Sequence, residues 1–352
     1  MKPRLVEYLA CPDCAGDLSL VEAGERQGDE IISGALSCAG CGRRFAVERG
    51  VPRLLPAGLA SLDAEVADSF GWEWNRFDEI RPEYRQQFLD WIAPVGPEEF
   101  AGRLVLEGGC GKGRHSRLAA EFGAKEVFAV DLGSAVEAAF RNTRGVEAVH
   151  VIQGDIAHLP LKRCADLAFS VGVLHHMPDP AVGFRALVDK LKEGGRIAVW
   201  VYGYEGNEWI VDLVDPVRNG LTSRMPRRAL YELARPLGWL VAAAAKAVYR
   251  PLADGGGLGR ALHERLFYRD YLTYVAQLPV REIHSIVFDQ LVTPVAHYLK
   301  RGEVEAWFED PRLGEVALRR HNGNSWHADA RVRVVAREAT RKANGTTRPR
   351  SA

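Results

Sequence analysis

Four cysteines fall as two pairs, Cys11-Pro-Asp-Cys14 and Cys38-Ala-Gly-Cys41. Two such knuckles present four thiolates in tetrahedral array, which suits Zn²⁺ and stabilises a fold too small to hold itself. Four sulfurs leave no open coordination position, so a zinc held by Cys11, Cys14, Cys38 and Cys41 is expected to be structural. Two disulfides are the competing use. They are set aside because the start, Met-Lys-Pro-Arg, carries no export signal and points to a compartment where thiols stay reduced. A second constellation is Glu107-Gly-Gly-Cys-Gly-Lys-Gly113. Glycines at 109, 111 and 113 let a backbone turn sharply and let a ligand approach the main chain. A dinucleotide fingerprint would need a further glycine at 114, and position 114 is Arg. Asp131 follows 18 residues after Gly113; its carboxylate can accept bonds from both hydroxyls of a ribose. His175 and His176 are candidate general bases, weighed against a plainer reading in which one caps a turn and the other packs beside the ligand.

The elements that position these groups follow from hydrophobic spacing. Residues 104–106 read as a buried strand, the glycines as a tight turn and 114–122 as a helix. Strands over 126–131, 149–155, 166–171 and 196–201 alternate with helical segments, the pattern of a doubly wound, mostly parallel α/β sheet. Residues 187–191 read as a helix with its C-cap at Gly194-Gly195, and 316–320 with 330–335 as a closing β-hairpin. Glu107, Asp131 and Asp155 then stand at successive strand ends, where such sheets bind ligands. Each acid alone reads equally well as a cap; three in succession do not.

The run from Glu107 to Gly113 resembles motif I of the class I S-adenosylmethionine (SAM) methyltransferases. The resemblance implies a seven-stranded Rossmann-like sheet with SAM as cofactor. Glu107 would help hold the methionine end, Gly109, Gly111 and Gly113 the ledge, and Asp131 the ribose. Asp155 would bond the adenine amino group with Ile156 packed on the ring, and Leu132 and Val171 complete the set. The stretch Gly172-Val-Leu-His-His-Met-Pro-Asp-Pro180 resembles the group that includes the ubiquinone and menaquinone C-methyltransferases. It lacks the Asn/Asp-Pro-Pro-Tyr/Phe motif of amino methyltransferases, which argues against an exocyclic nitrogen as acceptor. Phe288 to Leu299 is similar to the tail segment of the same group, in which a Pro-x-x-His-Tyr stretch faces the acceptor. His297 and Tyr298 thereby become candidates to orient or deprotonate a nucleophile, against ordinary loop packing. Residues 1–56 resemble a small zinc-ribbon family, found alone as an activator of tRNA and translation-factor methyltransferases and fused in front of bacterial ones. This implies a docking or stabilising domain, with a protein partner as one use of it.

The 352 residues hold 46 Lys+Arg and 46 Asp+Glu, so the totals show no basic nucleic-acid footprint. No apolar run approaches the roughly 20 residues needed to span a bilayer, and the expected setting is soluble and cytoplasmic. The expected division is a ribbon over 1–56, a linker and aromatic cap over 57–100, the methyltransferase domain over 101–336 and a disordered tail over 337–352. A helical insertion, 203–290, covers the acceptor. Phe70-Gly-Trp-Glu-Trp-Asn-Arg-Phe77 is read as core packing or as a wall over a flat ligand. Residues 237–245 read as a buried lid helix rather than a membrane-surface contact. The expectation is methyl transfer to oxygen or carbon of a small or lipid-like acceptor, with nucleic acid not the expected partner. The alternatives are an rRNA or tRNA base methyltransferase and a non-catalytic SAM-binding module.

Overall fold

The computed structural model describes residues 1–59 and 61–334, and the tail expected over 337–352 lies outside them. At the amino end a 3₁₀ turn, Pro3–Tyr8, precedes β1 (Leu18–Ala23), β2 (Arg26–Gln27), β3 (Glu30–Ile31), β4 (Gly34–Cys38), β5 (Arg44–Glu48) and β6 (Val51–Leu54). Strands β1, β4, β5 and β6 pair antiparallel in that order. The first cysteine knuckle precedes β1 and the second follows from the end of β4, so pairing brings the two together.

Two helices follow, α1 (Ser61–Arg76) and α2 (Tyr84–Ile92), and then the alternating run β7 (Leu104–Gly108), α3 (Arg114–Glu121), β8 (Glu126–Asp131), α4 (Ala135–Thr143), β9 (Val149–Gly154), β10 (Ala165–Val171), α5 (Pro180–Asp189) and β11 (Leu191–Tyr202). Val127 to Val130 are wholly buried, as parallel strands covered on both faces by helices must be. Gly194 and Gly195, expected as a helix C-cap, lie inside β11, which pairs beside β10 from Leu191 onward and overrides the local signal. Beyond the insertion lie α12 (Arg301–Trp307) and the antiparallel pair β12 (Leu313–His321) and β13 (Ser325–Val332). That hairpin turns at Asn322 and Gly323, both with positive φ, so its second strand begins five residues earlier than the expected 330.

Eleven of these strands form one sheet in the order β1-β4-β5-β6-β9-β8-β7-β10-β11-β13-β12, and β2 and β3 pair separately. Its last seven members are the expected seven-stranded unit, and the strand order reverses direction between β7 and β10. The ribbon extends this sheet: β6 runs parallel to β9, with Arg53 opposite Gln153 and Leu54 opposite Gly154. Leu5 and Leu9, both fully buried, join one core with Phe128, Leu161 and Leu187, and Tyr8 packs on Phe128 at 4.9 Å between ring centroids. Arg4 donates to Glu126 at 2.8 Å, and Arg53 to Glu137 at 2.6 Å. The ribbon therefore engages its own catalytic domain through backbone pairing, apolar burial and ion pairs.

Between β11 and Thr293 the insertion forms α6 (Asp215–Gly220), α7 (Arg227–Ala244), α8 (Arg250–Asp254), α9 (Gly257–His263), α10 (Arg269–Val275) and α11 (Val280–Val292). Leu230, Tyr231 and Ala234 of α7 pack with Phe288 and Val292 of α11 and with Phe77, just past the end of α1. The outer side of α7 is open: Trp239 is 61% and Leu240 68% exposed. The 237–245 stretch is thus half a lid, buried on one face only, and not the buried helix its composition suggested. No helix among the described residues is long and apolar enough to cross a membrane.

Candidate functional site

A cavity of 580 Å³ opens at the carboxyl ends of the parallel strands, at the reversal between β7 and β10. β7 delivers the glycine turn to its wall. The N–H groups of Gly109 and Cys110 both donate to Val130 O, at 2.8 and 2.9 Å, which folds the turn back over β8. Gly109 has φ +82° and a side-chain carbon there would meet Val173 at 2.3 Å; only glycine satisfies both demands. Gly111, at φ +51°, lies under the Trp74 indole, and Gly113, at φ +79°, starts α3.

Asp131 sits at the end of β8. Its Oδ2 accepts from Gly111 N and its Oδ1 from Gly133 N, each at 2.9 Å. Burial pushes this carboxyl up against the pull of those backbone donors. Asp155, beyond β9, accepts from Ala157 N at 2.9 Å and meets His158 Nδ1 at 2.6 Å. Gly109, Gly111, Asp131, Leu132, Asp155, Ile156 and Val171 all line the cavity. The set fits SAM: a bare backbone ledge, a carboxylate at ribose position, and a second carboxylate one strand away with an apolar residue beside it.

Glu107 is placed differently. It is buried beneath the turn and off the cavity wall, accepting from Ser116 Oγ and meeting His115 Nδ1 at 3.3 Å. Burial holds its carboxyl at about 8, so it fastens α3 to β7 as a neutral acid rather than facing the cofactor. Its period-2 position within β7 turns it to the helix side. Two cations line the wall: Lys112, whose Nζ donates to Phe77 O at 2.7 Å and to Tyr84 OH at 2.9 Å, and Arg114, whose guanidinium lies over the rings of Tyr84, Trp91 and Trp74.

Of the proton-transfer candidates, His176 and Tyr298 line the cavity while His175 and His297 do not. His175 is fully buried, stacked on Tyr202 at 3.8 Å, and its Nδ1 accepts from Tyr202 N. The Nδ1 of His176 is 2.7 Å from Val295 O. Burial lowers both imidazoles, His176 to about 4, which keeps them neutral and suited to packing. The N–H of His297 donates to His175 O at 2.8 Å, tying the tail segment to the turn after β10. Tyr298 donates to Gln290 Oε1 at 2.8 Å.

The aromatic run before motif I divides by helix face. Trp72 and Phe77 pack on the lid against Tyr231 and Phe288, whereas Phe70 and Trp74, one turn apart, line the cavity. Glu73 on the same wall, with Tyr202, Asp289 and Gln290, was not singled out from sequence.

The four cysteine sulfurs lie within 4.8 Å of one another, with Cys11 Sγ 3.7 Å from Cys41 Sγ and Cys14 Sγ 3.4 Å from Cys38 Sγ. Tetrahedral zinc with Zn–S bonds of about 2.3 Å requires sulfur separations near 3.8 Å, so the thiolates fit Zn²⁺.

A methyltransferase-domain family model matches residues 106–199, and a Trm112p-like protein model matches residues 2–50. Among curated proteins the chain is 30% identical over 146 residues to a tRNA U34 carboxymethyltransferase of Idiomarina loihiensis, covering 40% of each chain. It is 28% identical over 185 residues to one from Shewanella sediminis, covering 51% of each. The matches thus span two-fifths to one half of these relatives. A solved SAM-dependent methyltransferase from Mesorhizobium loti is 26% identical, with a TM-score of 0.28 over 34% of this chain and 52% of that one. The chain carries a class I SAM-dependent methyltransferase domain behind a Trm112-like zinc ribbon. The finer expectations are corrected. Relatives named for tRNA stand against the ubiquinone/menaquinone-like group, the small or lipid-like acceptor and the expectation that nucleic acid is not the partner, and favour the tRNA alternative.

Proposed function

We propose that this protein is a SAM-dependent transferase that modifies a base of tRNA, with the cofactor and a flipped acceptor base sharing the one cavity. What carries the reading is the continuity of that cavity. A nucleotide-type site at the glycine turn, Asp131 and Asp155 passes without a break into a half walled by Phe70, Trp74, Tyr202 and Tyr271. Aromatic walls accept the face of an unstacked base, and the curated relatives named for tRNA agree with that use.

SAM supplies an activated methyl group when bound. The chain's own tasks are then alignment and exclusion of water. Asp131 takes the ribose hydroxyls, Asp155 the adenine amino group, Ile156 and Leu132 the ring faces, and Arg114 the methionine carboxylate. Helices α7 and α11 close the acceptor side. The ribbon, paired through β6, braces β9 and with it the loop carrying Asp155.

Incubation of the purified protein with methyl-labelled SAM and bulk tRNA, followed by nucleoside digestion and mass spectrometry, tests the reading. The expected result is label in one modified nucleoside that carries the mass increment of one methyl group. Unlabelled tRNA under conditions where the protein binds SAM refutes it.

A further inference from the structure

The acceptor half of the cavity holds two acids, Glu73 and Asp289, neither of which is in a direct ion pair among the described residues, although Lys112 and Arg114 line the same cavity. Glu73, on α1, is wholly buried; its Oε1 accepts from Ser285 Oγ at 2.7 Å and its Oε2 has no partner. Asp289, on α11, accepts at Oδ2 from the Tyr202 hydroxyl at 3.0 Å, and its Oδ1 has no partner. Both residues line the cavity. A chain of donors fixes Asp289 in this pose: Tyr298 OH gives to Gln290 Oε1 at 2.8 Å, Gln290 Nε2 to Tyr202 OH at 3.3 Å, and Tyr202 OH to Asp289. Leaving buried carboxyl oxygens unpaired is costly, and such costs concentrate where a ligand will pair them.

The geometry points to Glu73 and Asp289 as the acceptor subsite, with Asp289 taking the proton of an acceptor that reacts through an O–H or N–H group. This rests on the tRNA reading for the kind of molecule and adds the kind of atom. The bond from sulfonium sulfur to methyl carbon breaks with its electron pair on sulfur. The carbon–oxygen or carbon–nitrogen bond forms from the acceptor's lone pair, and the acceptor proton passes to Asp289 Oδ1. Glu73 holds a second polar atom of the same ring. An acceptor that reacts at carbon, or at a ring nitrogen bearing no proton, leaves the pair without a task.

Burial pushes the Asp289 carboxyl up to about 6, against the Tyr202 hydroxyl and the charges of Arg218 and Arg114. Tyr271 and Tyr298 are the other titratable groups facing it, and burial and the nearby Asp289 push the Glu73 carboxyl well above the usual carboxylate range.

The test uses the full chain with Asp289→Asn and Tyr202→Phe, methyl-labelled SAM, and an extract separated into RNA and non-RNA fractions. For Asp289→Asn the expected results are SAM affinity within twofold of wild type by calorimetry, transfer reduced about a hundredfold, and a higher melting temperature at pH 7.5. Wild-type transfer falls below pH 6, and the residual rate of the Asn variant is flat there. Tyr202→Phe removes a donor to Asp289 and moves that acid limb to higher pH. A tenfold loss of SAM affinity in Asp289→Asn places the pair on the cofactor and overturns the proposal. So does an unchanged pH profile, a lowered melting temperature with wild-type transfer, or a product methylated on carbon. Label confined to the non-RNA fraction refutes the tRNA reading, and the same variants then decide the subsite on that fraction.

Discussion

Glu107→Gln separates two roles for the acid that follows the first strand of the domain. An ionised Glu107 facing the cofactor would make the substitution lower SAM affinity. The structure instead buries Glu107 against Ser116 and His115 and holds its carboxyl at about 8, from an ordinary value of 4.5. A carboxyl raised in the fold is protonated there while it ionises in the unfolded chain, so folded-state stability falls as pH rises from the unfolded value towards 8. The full difference corresponds to about 5 kcal/mol above pH 8; water entry and relaxation reduce it to roughly 2–3 kcal/mol. Glutamine keeps the shape and the neutral state. We expect Glu107→Gln to melt a few degrees above wild type at pH 8, with the gap closing by pH 5, and to bind SAM within threefold of wild type. Thermal melts from pH 5 to 8 beside calorimetric SAM titrations check both halves. A variant less stable than wild type across that range, or one with SAM affinity reduced tenfold, refutes the assignment of Glu107 as a neutral fastener.

Gly109→Ala forces a side chain into φ +82° and against Val173; strain of about 1–2 kcal/mol should weaken SAM binding roughly tenfold by calorimetry while the ribbon retains its metal. One zinc per chain is expected by elemental analysis, and a strong chelator should lower the main unfolding transition as well as melting the ribbon, because β6 is hydrogen-bonded into the catalytic sheet. A catalytic-domain transition indifferent to chelation would mean that the shared sheet carries no energetic coupling.

Much of the fold was legible because its signals are local. The glycine turn and the acids at 131 and 155 each close a short apolar strand, so spacing alone set them on one edge. Cys11, Cys14, Cys38 and Cys41 needed only their own spacing. Glu107 misled because its position beside the glycines matches a functional motif, while the side to which its strand turns it is decided by α3. Gly194-Gly195 and the 237–245 stretch misled in the same way, the first overruled by pairing with β10 and the second by packing of only one face of α7.

The acceptor half was illegible for a different reason: α1, β11 and α11 supply Glu73, Tyr202 and Asp289 from segments that nothing local connects. A signal did exist. Ser285 and Asp289 lie four apart on a helix that also buries Ile283, Phe288 and Val292, and polar groups that repeat along a buried face need partners. Glu73 likewise interrupts an aromatic run. The neutral total also hid composition that varies along the chain. Between 221 and 266 stand Arg224, Arg227, Arg228, Arg235, Lys246, Arg250, Arg260 and Arg265 against Glu232, Asp254 and Glu264. Zero net charge over a whole chain therefore excluded nothing about the lid, and the acceptor class had to be sought where that lid meets the carboxyl edge of the sheet.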